Sequence, residues 1–491
     1  MPGLPSAWVR PHLLAMARPS WRKIADHGLD VALADAGVCV VVNLQQPGEH
    51  AFCGDGLDPH SSAGFAYDPD VLAAAGITHI ASGWDDMGVP RMAVLARSVF
   101  FIDYAVNVLG GRAAVHCHAG LGRTGLVCAA YLVYSEHLSP QAAIAAVRAA
   151  RPKAIQTRKQ VAAVKRYARA LADAAAVFVP SPALVELWRI DHATHCTTAS
   201  ESCTHWAHAA PKTPHTAAGV ALPQPASLRD LLQRQELIVH GEERRELRYG
   251  PKAVLLLLRR LEAESRADAA RALSDVAARV LPGTVRRTVA DAGSWLWPEY
   301  SLQQSLNARL WHAVDEVPLV TVVSTLVSWL RFSLAHPLVE ATSLNLGVYS
   351  PDCVGLAVHL MSAFDPILAA CTPDEALAAD KLLFWALAHG EAHVPLRLAA
   401  LRQAIRDAAA TKPKPVIVYT PRAGATEGLV SDLLFQAGAT GPSSQAASSV
   451  AVNDSSISEP LSGSDSSDSG SDLPSPRSRS QAGTPIPHRP Y

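Results

Sequence analysis

Residues 116–125 read His-Cys-His-Ala-Gly-Leu-Gly-Arg-Thr-Gly, and the reading of this stretch decides what kind of domain the first third of the chain forms. The apolar run Ala113–Val115 before it predicts a strand, and Thr124–Glu136 after it has the apolar spacing of a helix. Cys117 therefore stands where a buried strand turns into a helix. Exposed N–H groups and the helix dipole favour negative charge there, whether a thiolate or a bound phosphate. A free cysteine has a pKa of about 8.5, and such settings lower it to ~3.5–7.5, so the nucleophile is abundant at neutral pH. Gly120 and Gly122 let the loop curl until successive amides of His118, Ala119, Gly120, Leu121 and Gly122 face one anion. Arg123 adds a planar fork that matches two phosphate oxygens. Thr124 can donate a hydrogen bond to the sulfur as it leaves phosphorus, and His116 orients the loop through its ring nitrogens without moving protons. A buried cysteine beside a chance glycine turn would not bring all these residues into register between a strand and a helix.

Working outward, Val38–Leu44 is a short β-branched apolar run closed by a turn-rich stretch, and it predicts a buried strand. Ile77–Ser82 is a second candidate. Helical spacing over Arg91–Leu109 stops at Gly110-Gly111, and Ser139-Pro140 opens a helix over Gln141–Ala150. Val161–Ala174 supplies another helix. Strands and helices alternate, so residues 1–176 predict an α/β domain, a central sheet flanked by helices. Residues 177–226, rich in Pro, Thr, Ser and His, read as a flexible linker. Residues 227–423 read as an all-α module, and residues 440–491 as a disordered Ser-rich tail.

Composition narrows the function. Apolar residues make up 49% and charged residues 18% of the 491, enough for sizeable cores. A net charge of −1 offers no global basic field for nucleic acid. The N-terminus lacks the layout of a signal peptide. Val317–Leu330, the most apolar run, is shorter than the roughly 20 residues a spanning helix needs. Eight cysteines scattered over a long chain do not form a disulfide scaffold, so a reducing compartment is expected, and a thiol nucleophile needs one.

With these residues in place, the chain resembles the protein tyrosine phosphatase superfamily, within it the dual-specificity branch akin to the mitotic-exit phosphatases. The likeness is carried by Leu13–Ser20, Val42–Gly54, Gly83–Val89, the signature itself and Arg151–Gln160, and more loosely by Ser227–Glu243 and Pro318–Leu330. The resemblance implies a metal-free, cofactor-free hydrolysis through a phosphocysteine, with phosphoproteins as substrates. It also implies an acid on the Gly83–Val89 loop. Two residues before Gly88, the position an acid takes in the resembling family, stands Asp86; Asp85 is its neighbour and rival, and Met87 stands where many dual-specificity enzymes carry aspartate. Gln156 falls at the position that orients the hydrolytic water, with Gln160 one turn later as a helper. The alternative for both glutamines is a helix-start cap. Cytoplasm, with a centrosomal or ciliary association, follows from the resemblance alone.

The aromatic loop that walls the deep pocket of classical tyrosine phosphatases is absent before the signature, which implies room for phosphoserine and phosphothreonine. His118 and Leu121 replace the loop lysines of phosphoinositide phosphatases, so fewer cations meet a polyanionic head group. Arg18 is either a pocket residue or an ordinary surface arginine. The group His192, His195, Cys196, Cys203, His205 and His208 has irregular spacing for zinc and reads as an insert. Cys53 reads as a loop cysteine and Cys128 as core. Ser475-Pro476 and the acidic serine runs of the tail suit kinases as partners. The rival function is a phosphoprotein-binding scaffold that keeps the loop without turnover.

Overall fold

The computed structural model describes residues 1–185, 224–281, 289–338 and 350–389, with residues 403–404, 406–407 and 450–451 beyond them. The N-terminal sheet is built from β1 (Ser6–Arg10), β2 (Leu13–Met16), β3 (Val38–Asn43), β4 (Thr78–Ala81) and β5 (Arg112–His116). They lie in the order β1-β2-β5-β3-β4, and a two-residue strand, β6 (Val450–Ala451), adds to the β4 edge from within the stretch expected to be disordered. β1 and β2 are antiparallel, and the other pairings are parallel. β5 is central: His116 partners Met16 on one side and Asn43 on the other. The signature therefore leaves the carboxyl end of an interior strand, the edge where open parallel sheets bind ligands.

Both faces of this sheet are covered, which is why its strands are apolar runs and not alternating ones. Side chains alternate across the pleat. Leu13, Ala15, Val40, Val42, Ala113 and Val115 meet α4 (Met92–Asp103), α5 (Gly122–Ser135), α6 (Pro140–Ala150) and α7 (Arg158–Ala175). Leu14, Met16, Val41 and Ala114 face Leu29 and Leu33 of α2 (Leu29–Asp35) and Leu72 of α3 (Pro69–Ala74), with α1 (Trp21–His27) alongside. The expected ends are set by local chemistry. Ser139 accepts from Ala142 N with Pro140 at the first helical position, and Thr157 and Gln160 form a reciprocal capping box. α4 runs on into a π-helical turn, Tyr104–Val108, and Gly110 ends it at φ +65°. The N-terminal hairpin and α1–α3 carry no strong periodic signal: each is four to seven residues long.

The second region is helical, as expected. Lys252–Glu262, Arg266–Val280, Leu319–Ser328, Pro351–Leu368 and Pro373–Leu387 pack around Leu258, Leu273, Leu326, Trp329, Phe364 and Leu383. Val177 and Phe178, at the start of the expected linker, are buried in this same core. Asn307 Oδ1 accepts from both of their N–H groups, and Arg309 donates to Val133 O and Tyr134 O at 3.0 Å. The histidine-cysteine group from His192 to His208 and the tail serines lie outside the described residues. No helix among the described residues is long and apolar enough to cross a membrane.

Candidate active site

Between β5 and α5 the chain makes the loop that holds Cys117, buried at the base, and Arg123, wholly buried in the first turn of α5. Gly120 has φ +67°, and a Cβ there would sit 2.1 Å from Met16 O, so neither the conformation nor the space admits a side chain. At Gly122 a Cβ would come within 2.8 Å of Gln156 Oε1 and 3.0 Å of Gln160 Nε2, which places both amides against the loop. Gln160 is fully buried, and its Oε1 accepts from Gln156 N at 2.9 Å and Thr157 N at 3.3 Å. The glutamine pair thus serves as cap and as loop neighbour at once.

His116 is buried at the end of β5. Its Nδ1 lies 3.2 Å from Cys117 O and its Nε2 2.7 Å from the Tyr67 hydroxyl. A proton on Nδ1, donated to the carbonyl, leaves Nε2 to accept from Tyr67; this tautomer is assigned from the two partners. Burial pulls His116 down to about 3 and lifts Tyr67 well above the usual phenol range, so the imidazole stays neutral and the hydroxyl stays a donor. From behind, Arg151 donates to Gly120 O at 2.5 Å and to Ala119 O at 2.9 Å. These clamps turn the loop carbonyls outward from the cradle, where N–H groups are needed.

Arg123 is held as firmly. Its Nη1 is 2.8 Å from Leu44 O, Trp84 O and Glu49 Oε2, and its Nη2 bonds Glu49 Oε1. Its Nε is buried without a hydrogen-bond partner, and so is the Thr124 hydroxyl. Two donors are therefore free at the loop. Asp86 Oδ1 lies 3.1 Å from Arg123 Nη2, while Oδ2 lies 3.3 Å from His50 Nε2. The turn that brings it there has Met87 at φ +57° and Gly88 N bonded to Asp85 O at 3.0 Å. Asp85 contributes its carbonyl to that turn, and its carboxylate has no ion pair or hydrogen bond among the described contacts. Arg18 is not a surface residue: it is buried beside the loop and donates to the carbonyls of His50 and Cys53.

Sequence reasoning passed over Glu49, His50, Tyr67 and Arg151. Glu49 and His50 sit in the turn after β3, the neighbour of β5, and a carboxylate at that carboxyl edge was the available signal. Tyr67 and Arg151 reach the loop only through long-range packing.

Residues 78–170 match the family described as dual specificity phosphatase, catalytic domain. The N-terminal domain thus matches the dual-specificity branch of the protein tyrosine phosphatase superfamily. Among similar proteins is protein tyrosine phosphatase domain-containing protein 1 of Danio rerio, 36% identical over 259 residues, 53% of this chain and 30% of that protein. That match is longer than the N-terminal domain, so the likeness extends beyond it. The tyrosine-protein phosphatase cdcA of Emericella nidulans is 32% identical over 155 residues, 30% of this chain and 26% of its own length. The phosphatidylglycerophosphate phosphatase PTPMT1 of Arabidopsis thaliana is 32% identical over 136 residues, 28% and 36% of the two chains. The chain thus spans about a third or less of these relatives.

Proposed function

We propose that this chain hydrolyses phosphomonoesters on proteins, phosphotyrosine and phosphoserine or phosphothreonine alike, through a phosphocysteine intermediate. The observation that carries this reading is the convergence of Cys117, the Arg123 guanidinium and the Asp86 carboxylate on one loop whose carbonyls are clamped away. In the first step Cys117 Sγ forms a bond to phosphorus as the ester P–O bond breaks, and Asp86 gives its proton to the leaving oxygen. The loop amides and Arg123 Nε–H hold the equatorial oxygens as charge builds on them. In the second step water, placed by Gln156, attacks phosphorus and returns a proton to Asp86. The S–P bond breaks toward sulfur, which Thr124 receives with its hydroxyl, and phosphate is released.

A substrate that draws on Arg123 competes with Asp86 for Nη2, which frees the carboxylate to swing toward the leaving oxygen. A phosphorylated lipid, the substrate class named for the Arabidopsis relative, is the second reading. Against it stand His118 and Leu121 at the loop, and an Arg18 whose guanidinium is spent on carbonyls. The reading carries a reducing compartment with it, since an oxidised Cys117 is no nucleophile. Cytoplasm fits, and the centrosome or cilium rests on resemblance alone. Kinases acting on the serine-rich tail are the partners that go with a regulated enzyme.

Cys117→Ser tests the whole. It should abolish turnover of para-nitrophenyl phosphate while leaving tungstate binding partly intact, because the amide cradle survives. Turnover should also persist in a chelator. Activity within tenfold of wild type in Cys117→Ser would remove Cys117 from this role.

A further inference from the structure

At the rim of the phosphate loop three side chains suited to a metal come together. His50 and Cys53 belong to the turn after β3, and His118 directly follows Cys117. One donor atom from each lies within 4.8 Å of the other two. Cys53 Sγ is 3.7 Å from His50 Nδ1, and the two imidazoles stack with centroids 4.0 Å apart at 20°.

This meeting is built and not casual, because one buried residue fixes all three. The Arg18 N–H donates to His118 O at 3.0 Å, and its guanidinium donates to His50 O at 3.3 Å and to Cys53 O. The ligands are thereby tied by their own backbones to a single frame. The nitrogens are also available. His118 Nδ1 is buried without a hydrogen bond, and His50 turns Nδ1 toward Cys53 Sγ, while its Nε2 meets the Glu49 and Asp86 carboxylates at 3.1 and 3.3 Å, which orient the ring. Two imidazoles and a cysteine sulfur are a zinc set, with the fourth tetrahedral position left to water.

We infer that His50, Cys53 and His118 form an inhibitory zinc site over the mouth of the phosphate loop. Binding takes the Cys53 thiol as thiolate and releases its proton to solvent, and no electron moves. The stacked rings turn apart so that their nitrogens converge on the ion. Because His118 adjoins Cys117, an ion held there covers the cradle and draws Asp86 away from the leaving oxygen. The binding stands on these residues alone, whereas the inhibition rests on the phosphatase reading.

The test uses the full chain with cobalt(II) as a spectroscopic probe and zinc(II) as the inhibitor. Wild type and Cys117→Ser should both show a thiolate-to-cobalt charge-transfer band, and Cys53→Ser should lose it. In a chelator Cys53→Ser should turn over para-nitrophenyl phosphate like wild type, and it should need roughly tenfold more zinc, or beyond, for equal inhibition. His50→Asn should weaken cobalt binding as well. A band that survives in Cys53→Ser, or equal zinc sensitivity of Cys53→Ser and wild type, overturns the site. A wild type that binds cobalt through Cys53 but never turns over leaves the site standing and removes the phosphatase reading instead. Binding without any loss of turnover overturns the inhibitory role.

Discussion

Glu49 and Arg123 form a two-pronged ion pair beneath the phosphate loop, Oε2 to Nη1 at 2.8 Å and Oε1 to Nη2. Burial alone would raise the Glu49 carboxyl, but the guanidinium overcomes it and holds the group below the usual carboxylate range. A planar fork fixed on one edge by a carboxylate presents its other edge, Nε and Nη2, in one orientation, which is what bidentate recognition requires.

Glu49→Gln should therefore keep the shape and lose the fork's anchor. Turnover should fall by roughly ten- to a hundredfold, as expected when a reacting group is misplaced by a fraction of an ångström. The depressed carboxyl contributes stability above the ordinary carboxylate range that is lost as pH falls through its folded value. Acid denaturation of the variant should accordingly begin from a lower plateau and be shallower. Wild-type kinetics in Glu49→Gln would show that Arg123 needs no such partner.

The Asp86 and Asp85 pair separates by rate. Asp86→Asn should slow turnover by ~10²–10⁴-fold, least on substrates with an already acidic leaving group. Asp85→Asn, whose carbonyl still makes the turn, should change it by less than about tenfold. The basic limb of the pH profile should vanish in Asp86→Asn alone. Should Asp85→Asn remove it instead, the roles are exchanged.

His79 and His116 are both buried and neutral, drawn by burial to about 4 and about 3 from an ordinary 6.5. Below pH ~6.5 the unfolded chain takes up protons that the folded one refuses, so stability falls as pH drops toward 4. The slope reaches up to about 3 kcal/mol per pH unit for the two together. Both His79 nitrogens lack partners beside Tyr67 and Phe65. His79→Leu should roughly halve the acid slope, and a urea series from pH 7 to 5 measures it. An unchanged slope would mean that His79 is protonated in the folded state.

Glu299 titrates in the opposite sense. It is fully buried in the helical region, accepting from Gln303 Nε2 at 3.0 Å and from Ser324 Oγ, and burial lifts it from 4.5 to about 7. Between those values the folded state keeps a proton that the unfolded state has given up. Stability is then lost as pH rises through the window, by about 3 kcal/mol at most. Glu299→Gln should remove this dependence and be the more stable protein at pH 8. Parallel curves for variant and wild type from pH 5 to 8 would contradict it.

Much of the fold was legible because its signals are local. Val38–Asn43 and Arg112–His116 are apolar enough to be interior strands, and Ser139-Pro140 and Thr157/Gln160 carry their own caps. The helical region showed itself by its periodicity. The N-terminal hairpin did not, since four- and five-residue strands have too few turns of the pattern to register.

The sequence by itself determined the kind of loop this is: a cysteine, an arginine and glycines in a spacing that serves an anion wherever a strand meets a helix. Spacing along the chain is enough for that, because the loop's donors are its own backbone and its nearest side chains. Tertiary structure alone decided what surrounds it. Tyr67 lies 49 residues before His116, Glu49 lies 74 before Arg123, and Arg151 lies 31 after Gly120. Parallel strands and their crossovers bring such distant residues to one sheet edge. No local pattern records that, for the same reason that Arg18 could not be read as the tie between His118, His50 and Cys53 until β2 and β5 were seen side by side.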